Sequence, residues 1–249
     1  MSELDQADDS CVAQSEGRGR KVRTSDCRHC RLMRSLRAAN MPGATVQAIC
    51  DRMWLNRVRR RQVLYDEGNR AAHLFAVRSG RVKLLKIDRS GREHLTAIHE
   101  TGDLFGFEAV FDTAYATRAE ALDDSELCLA SGQELKALMA SVPSVAVDLA
   151  RYLHQQLVRT QQRQVCLGAP SASARLAGFL LQDLPEDADA GEHAVARGLT
   201  LRDLGGILGI SAETVCRALA DLRTRGIVET GAAGIRVLDA EALRELTTR

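Results

Sequence analysis

The chain has 249 residues, 45% hydrophobic and 27% charged, which suits one or two globular domains with a real core and excludes a disordered or fibrous protein. A net charge of +1 excludes a sequence-blind coat on nucleic acid, so any basic surface has to be local. Aromatics at 4% argue against base stacking on RNA or single strands, and seven cysteines, an odd number, point to thiols or metal rather than a disulfide framework.

Residues 1–26 open acidic at Glu3, Asp5, Asp8 and Asp9 and turn basic at Arg18, Arg20, Lys21 and Arg23, with almost no apolar side chains. That composition predicts a disordered arm. The arm has no apolar signal core, and no run in the chain reaches membrane length, so a cytoplasmic protein with no membrane partner is expected. Cys27-Arg28-His29-Cys30 follows. It sets two thiols on one local turn, suited to one edge of a metal. Alone it is half a zinc site, since no second C-x-x-C or H-x-x-x-H follows. Cys50 closes a segment, residues 45–50, that reads as helix, where a thiol also serves core packing.

Across residues 54–130 the period falls to about two. Val82, Leu84 and the Leu85-Lys86-Ile87 step alternate with Arg81, Lys83 and Lys86, and Leu95, Ala97 and His99 oppose Thr96 and Ile98. Turns recur at Glu67-Gly68-Asn69, Ser79-Gly80, Asp88-Arg89-Ser90-Gly91 and Thr101-Gly102-Asp103. Many short strands at such spacing predict a sandwich or roll.

After Gly132 the period becomes helical. Pro143 opens a helix to about residue 168, some 24 residues or roughly 36 Å at about 1.5 Å per residue. Val145, Leu149, Leu153 and Leu157 form an i,i+4 stripe. Its narrowness favours a partner helix, so Leu149, Leu153 and Leu157 are the expected dimer contacts; packing on the chain's own roll is the alternative. A further helix is expected from Ala174 to Leu184, then a polar loop to Gly198.

Residues 201–226 read as two short helices around a corner. Leu201, Leu204, Ile207 and Leu208 give the first an apolar face, with Thr200 as its cap. Gly209 breaks the run where a helix-turn-helix corner needs a glycine. Ser211 caps the second helix, which buries Val215, Leu219 and Leu222 and turns Ala212, Glu213, Cys216, Arg217 and Ala220 outward. Glutamate accepts from cytosine N4 and arginine bonds guanine bidentately, so Glu213 and Arg217, one turn apart, could read adjacent base pairs. The alternative is a solvated helix with an i,i+4 Glu–Arg pair. Residues 226–238 then read as a two-stranded hairpin, making a winged helix, and residues 239–249 as a short helix with Leu243 and Leu246.

The segment TLRDLGGILGISAETVCRALADLRTRGIVE resembles the C-terminal domain of the Crp/Fnr family of transcription regulators. The resemblance implies that Glu213 and Arg217 are base readers, with Ser211, Ala212, Thr214 and Cys216 in the same DNA-facing turn. Cys216 stands where the Fnr branch commonly has serine. LFAVRSGRVKLLK and TGDLFGFEAVF are similar to the family's cyclic-nucleotide-binding-like β-roll, so the resemblance runs from about Cys27 to Leu238. Gly106-Phe107-Glu108 and Thr117-Arg118-Ala119 depart from the Gly-Glu and Arg-Ser pairs of the nucleotide-binding branch, so no cyclic nucleotide is expected.

GDLFGFEAV looks like the Fnr branch, which implies oxygen sensing through a 4Fe–4S cluster. By that resemblance Cys27, Cys30 and Cys128 are ligands. Ser35-Leu36 stands in place of the third N-terminal cysteine, leaving Cys50 or the distal Cys11 as the fourth, with His29 a further possible donor. A redox thiol switch, a lost cluster site, or gating by a small molecule, haem or NO are the alternatives. Cys166 and Cys216 lie in helical patterns and read as packing or surface residues.

The expected fold is α+β: a disordered arm (1–26), a sensory jelly-roll domain with the cysteine segment (27–140), a dimerisation helix (141–168) and a winged helix-turn-helix (169–249). The expected function is a homodimeric regulator on a palindromic operator, with RNA polymerase as partner by resemblance. Arg202, Arg223 and Arg225 are candidate phosphate contacts. No Gly-rich phosphate loop, G-x-S-x-G or H-E-x-x-H motif suggests an enzyme.

Overall fold

The computed structural model describes residues 20–21, 30, 36, 40–89, 91, 93–182, 184, 194–231 and 234–248. Most of the expected disordered arm, with Cys11, Cys27, His29 and most of the polar loop before Gly198, lies outside the described residues. Contacts divide the chain into two units, Met1–His154 and Gln155–Arg249, the division falling inside one continuous helix.

In the first unit, β1 (Arg20–Lys21) lies within the arm expected to be disordered, and pairs with β2 (Met53–Val58). Helix α1 (Gly43–Cys50) precedes β2. The strands β3 (Val63–Tyr65), β4 (His73–Ser79), β5 (Val82–Ile87), β6 (Glu93–His99), β7 (Leu104–Phe105), β8 (Arg118–Ala121) and β9 (Ser125–Ser131) follow, with a 3-10 turn at Phe107–Phe111. They make two antiparallel sheets, ordered β1-β2-β9-β4-β7 and β3-β8-β5-β6. The Leu84-Leu85 doublet sits at a register shift between β5 and β6. The extra residue lets Leu85 be buried while Lys86 and Ile87 face water.

β4 and β9 read as almost unbroken apolar runs because both of their faces are covered. Successive side chains alternate between faces. Phe75, Val77, Leu127 and Leu129 enter the roll interior, where Tyr65 stacks on Tyr115 at 3.6 Å and Phe75 on Phe105 at 5.0 Å. Burial pushes the Tyr65 hydroxyl far above its usual range, so it stays protonated. The Tyr115 hydroxyl donates to the His73 carbonyl at 3.0 Å and accepts from its N–H at 3.1 Å, satisfying a buried polar group. On the opposite face, Leu74, Ala76, Cys128 and Ala130 meet a helical layer.

That layer is α1, α2 (Gly132–Ser141) and the start of α3 (Pro143–Leu167). α3 has 25 residues, about 38 Å at about 1.5 Å per residue. The expected dimer stripe needs correcting. Val145 (1% exposed), Leu149 (4%) and Tyr152 pack into the first unit's core, while Leu153 (39%) and Leu157 (55%) are exposed. An i,i+4 step overshoots a full turn by about 40°, so the four residues wind about 120° around the helix. The stripe starts on the roll and ends in solvent. Leu149 is therefore a core residue of its own protomer.

In the second unit, α4 (Ala172–Gln182), α5 (Leu201–Leu208), α6 (Ala212–Thr224) and α7 (Ala240–Thr248) enclose Leu176, Leu180, Leu204, Val215, Leu222 and Leu243. The hairpin of β11 (Val228–Gly231) and β12 (Gly234–Val237) gains a third strand, β10 (Ala194–Val195), from the segment read as polar loop. Two residues are too short to carry a period-two signal. Among the described residues, no helix is long and apolar enough to cross a membrane.

Candidate nucleic-acid interface and cysteine core

The corner begins with a capping box. Thr200 Oγ1 accepts from the Asp203 N–H at 3.1 Å, and the Thr200 N–H donates back to Asp203 Oδ2 at 2.9 Å. Two of the orphan donors of the α5 N-terminus are satisfied this way. Leu204 and Leu208 bury the apolar face, and Gly209 ends the helix at φ 64°. The chain then folds tightly back: the Ile210 N–H donates to the Gly205 carbonyl at 3.0 Å. A Cβ at Gly205 would stand 2.7 Å from the Ile210 carbonyl oxygen. Gly205 is what allows the corner its closeness, a role that the Gly205-Gly206 doublet in the sequence leaves unspecified.

Ser211 caps α6 by accepting from the Thr214 N–H at 3.1 Å. Val215, Ala218, Leu219 and Leu222 hold α6 on the core. Ser211, Glu213, Cys216 and Arg217 are exposed, and Ala212 and Thr214 half-buried, so all six expected DNA-facing residues lie at the open N-terminal turns of one helix. Arg217 Nη2 donates to Thr214 Oγ1 at 3.4 Å, and Thr214 Oγ1 lies 2.9 Å from Ser211 Oγ. Among the described residues, Glu213 and Arg217 form no ion pair with each other or with any other side chain. The solvated Glu–Arg pair is thus not what occupies this face. Arg202, Arg223 and Arg225 are also exposed, and Arg225 meets Asp221 at 3.8 Å.

A capped helix presenting an unpaired acid and an unpaired guanidinium is suited to duplex base edges. Residues 174–246 match the Crp-like helix-turn-helix domain, and residues 55–142 the cyclic nucleotide-binding domain. The anaerobic regulatory protein of Pasteurella multocida (strain Pm70) is 30% identical over 192 residues, 76% of this chain and 70% of that protein. The chain belongs to the Crp/Fnr family. This Crp/Fnr protein is a DNA-binding transcription regulator and not an enzyme. The fumarate and nitrate reduction regulatory protein of Vibrio cholerae serotype O1 is 29% identical over 191 residues, 76% of each chain. FixK2 of Bradyrhizobium japonicum superposes with a TM-score of 0.69 at 30% identity, covering 78% of this chain and 96% of that one.

The regulator's cysteines divide by place. Cys30, Cys50 and Cys128 are buried in one core, whereas Cys216 is exposed on α6. Cys128 is there because β9 alternates: Leu127 and Leu129 fill the roll, and Cys128 turns to the helices. Cys50 is there because α1 buries Val46, Ile49 and Cys50 on one face. Leu36, at the place of a third N-terminal cysteine, is buried at 3% exposure among them. Among the described residues, no three His, Cys, Asp or Glu side chains are gathered closely enough to hold a metal. The three thiols share a core without forming a ligand set, and Cys27 lies outside the described residues. Of the two stretches read against a cyclic nucleotide, Glu108 Oε1 accepts from the Ala116 N–H at 3.3 Å, and Arg118 Nη1 lies 3.4 Å from Asp66.

One feature of this core escaped the sequence reading. Asp148 of α3 is 7% exposed, and it accepts from the Thr45 hydroxyl of α1 and from Arg151 Nη1 at 2.8 Å. A buried carboxylate persists only when so satisfied. The available signal was a lone acid between residues 135 and 182.

Proposed function

We propose that the chain acts in the cytoplasm as a homodimer on a palindromic operator. Two copies of α6 enter successive major grooves, Glu213 and Arg217 read bases, and RNA polymerase is the partner whose activity is altered. The carrying observation is α6 itself, capped, seated on its core, and presenting Glu213 and Arg217 without competing ion pairs. The exposed Leu153 and Leu157 of α3 support a second copy on that helix.

Control enters through the cysteine core, which touches both the roll and α3: Cys30, Cys50 and Cys128 share it with Leu149 and Tyr152. The relatives named as anaerobic and fumarate–nitrate regulators support oxygen or redox as the signal. A 4Fe–4S cluster is the first reading, with Cys27, Cys30, Cys128 and Cys50 the donors; bound there, it would supply a group that oxygen dismantles. The second reading is thiol oxidation, or gating by a small molecule, haem or NO, without a cluster. It is favoured by the ungathered state of the described thiols. The Arg118–Asp66 contact supports a roll that takes no cyclic nucleotide.

Anaerobically purified protein separates the two. The first reading expects iron, sulfide and a broad absorbance near ~400 nm that air bleaches and that Cys128→Ser removes. Iron-free protein whose operator binding still responds to oxidant would replace it with the second.

A further inference from the structure

The open side of α3 carries a pattern distinct from the i,i+4 stripe. Val147, Ala150, His154 and Leu157 follow one another at three-, four- and three-residue steps, and all four are exposed. Val158 flanks them at 37% exposure, and Val147 is 58% exposed. Such spacing is the a/d seam of a two-stranded coiled coil, with Val147 and His154 at a and Ala150 and Leu157 at d. The opposite side of the helix, Val145, Asp148, Leu149 and Tyr152, is taken by the first unit's core. The seam is therefore the face left for a second helix.

We propose that a second copy of this chain docks on the face formed by Val147, Ala150, His154 and Leu157 with the two helices parallel, and that His154 makes this association weaken in acid. The inference rests on the homodimer reading. In a parallel two-fold pair each a-position side chain meets its own counterpart, so His154 faces the second copy's His154. Two neutral imidazoles can share a hydrogen bond there; two imidazolium ions repel in a site partly shielded from water.

The neighbouring charges offer no relief. No acidic residue occurs from 149 through 182, while Arg151, Arg159, Arg163 and Arg175 all lie in that stretch. The nearest carboxylate, Asp148, points into the core and is already held by Thr45 and Arg151. His154 is exposed in the protomer, so only the second copy's α3 packs against it, bringing the same His154 and Arg151 by symmetry. Repulsion lowers the His154 pKa in the dimer below its value of about 6.5 in the separate chain. The association is thus at full strength above about pH 6.5 and is lost as pH falls through the lower, dimer value.

Sedimentation equilibrium of the full chain between pH 8 and pH 5.5 tests this, with circular dichroism to confirm that the fold is kept. The dimer dissociation constant should rise roughly tenfold or more across that range. His154→Leu should dimerise more tightly and flatten the response; His154→Lys should weaken the dimer at every pH. A dimer whose acid response survives unchanged in His154→Leu overturns the role of His154 and leaves the homodimer standing. A chain that is monomeric at every pH overturns the docking face and the homodimer reading together.

Discussion

Arg217→Ala should erase operator discrimination while leaving affinity for random duplex nearly unchanged. The arginine stands on the open face of α6, one turn from Glu213, with only Thr214 and no carboxylate against its guanidinium. No internal contact is lost when it is removed, so the fold should be indifferent. A bidentate guanine contact discriminates by about 1–3 kcal/mol, roughly 10- to 100-fold, and a dimer loses it twice. Phosphate contacts from residues such as Arg202 and Arg223 supply the sequence-blind, salt-dependent remainder, which persists. Competition gel shifts with operator and scrambled duplex read both quantities. Equal loss on both duplexes would make Arg217 a phosphate contact, and unchanged discrimination would remove it from the reading set.

Gly205→Ala should destabilise the DNA-binding unit, although glycine-to-alanine inside a helix ordinarily stabilises by about 0.5–1 kcal/mol. Here the added methyl would stand 2.7 Å from the Ile210 carbonyl oxygen and 3.3 Å from the Ala212 nitrogen. Both are backbone atoms of the corner, so relief requires α5 and α6 to move apart. Overpacking of this kind costs about 1–3 kcal/mol, enough to outweigh the propensity gain. In a domain of this size each kcal/mol lowers the melting temperature by about 4–8 °C. Calorimetry should show one transition falling by several degrees, with operator affinity falling alongside because the shift displaces the start of α6. A melting temperature equal to or above that of the parent chain would show that the corner has slack.

The helix-turn-helix was legible because its signals are local. Thr200 and Ser211 are caps, Gly209 is a left-handed stop, and the apolar positions of α5 and α6 keep helical period on one face each. The strands of the roll were legible for the same reason, but their layering was not. That Cys128 leaves the roll interior follows from alternation along β9 only once Leu127 and Leu129 are known to face inward. The long helix misled because both of its sides carry apolar residues: the stripe through Val145 and Leu149 belongs to the roll, and the heptad through Val147 and Leu157 lies opposite. The Thr45–Asp148 bond joins residues 103 apart, and no periodicity reports such a contact. The cysteines were visible as a C-x-x-C and two singles; their convergence into one core depends on the tertiary packing of α1 and β9.

Selection from a random duplex pool by the purified full chain, run once reduced and anaerobic and once oxidised, tests most directly whether α6 reads sequence. The expected outcome is enrichment, in at least one of the two states, of a two-fold symmetric site whose half-sites lie about one helical turn apart. A pool that emerges with the composition it entered, in both states, would contradict DNA reading by Glu213 and Arg217.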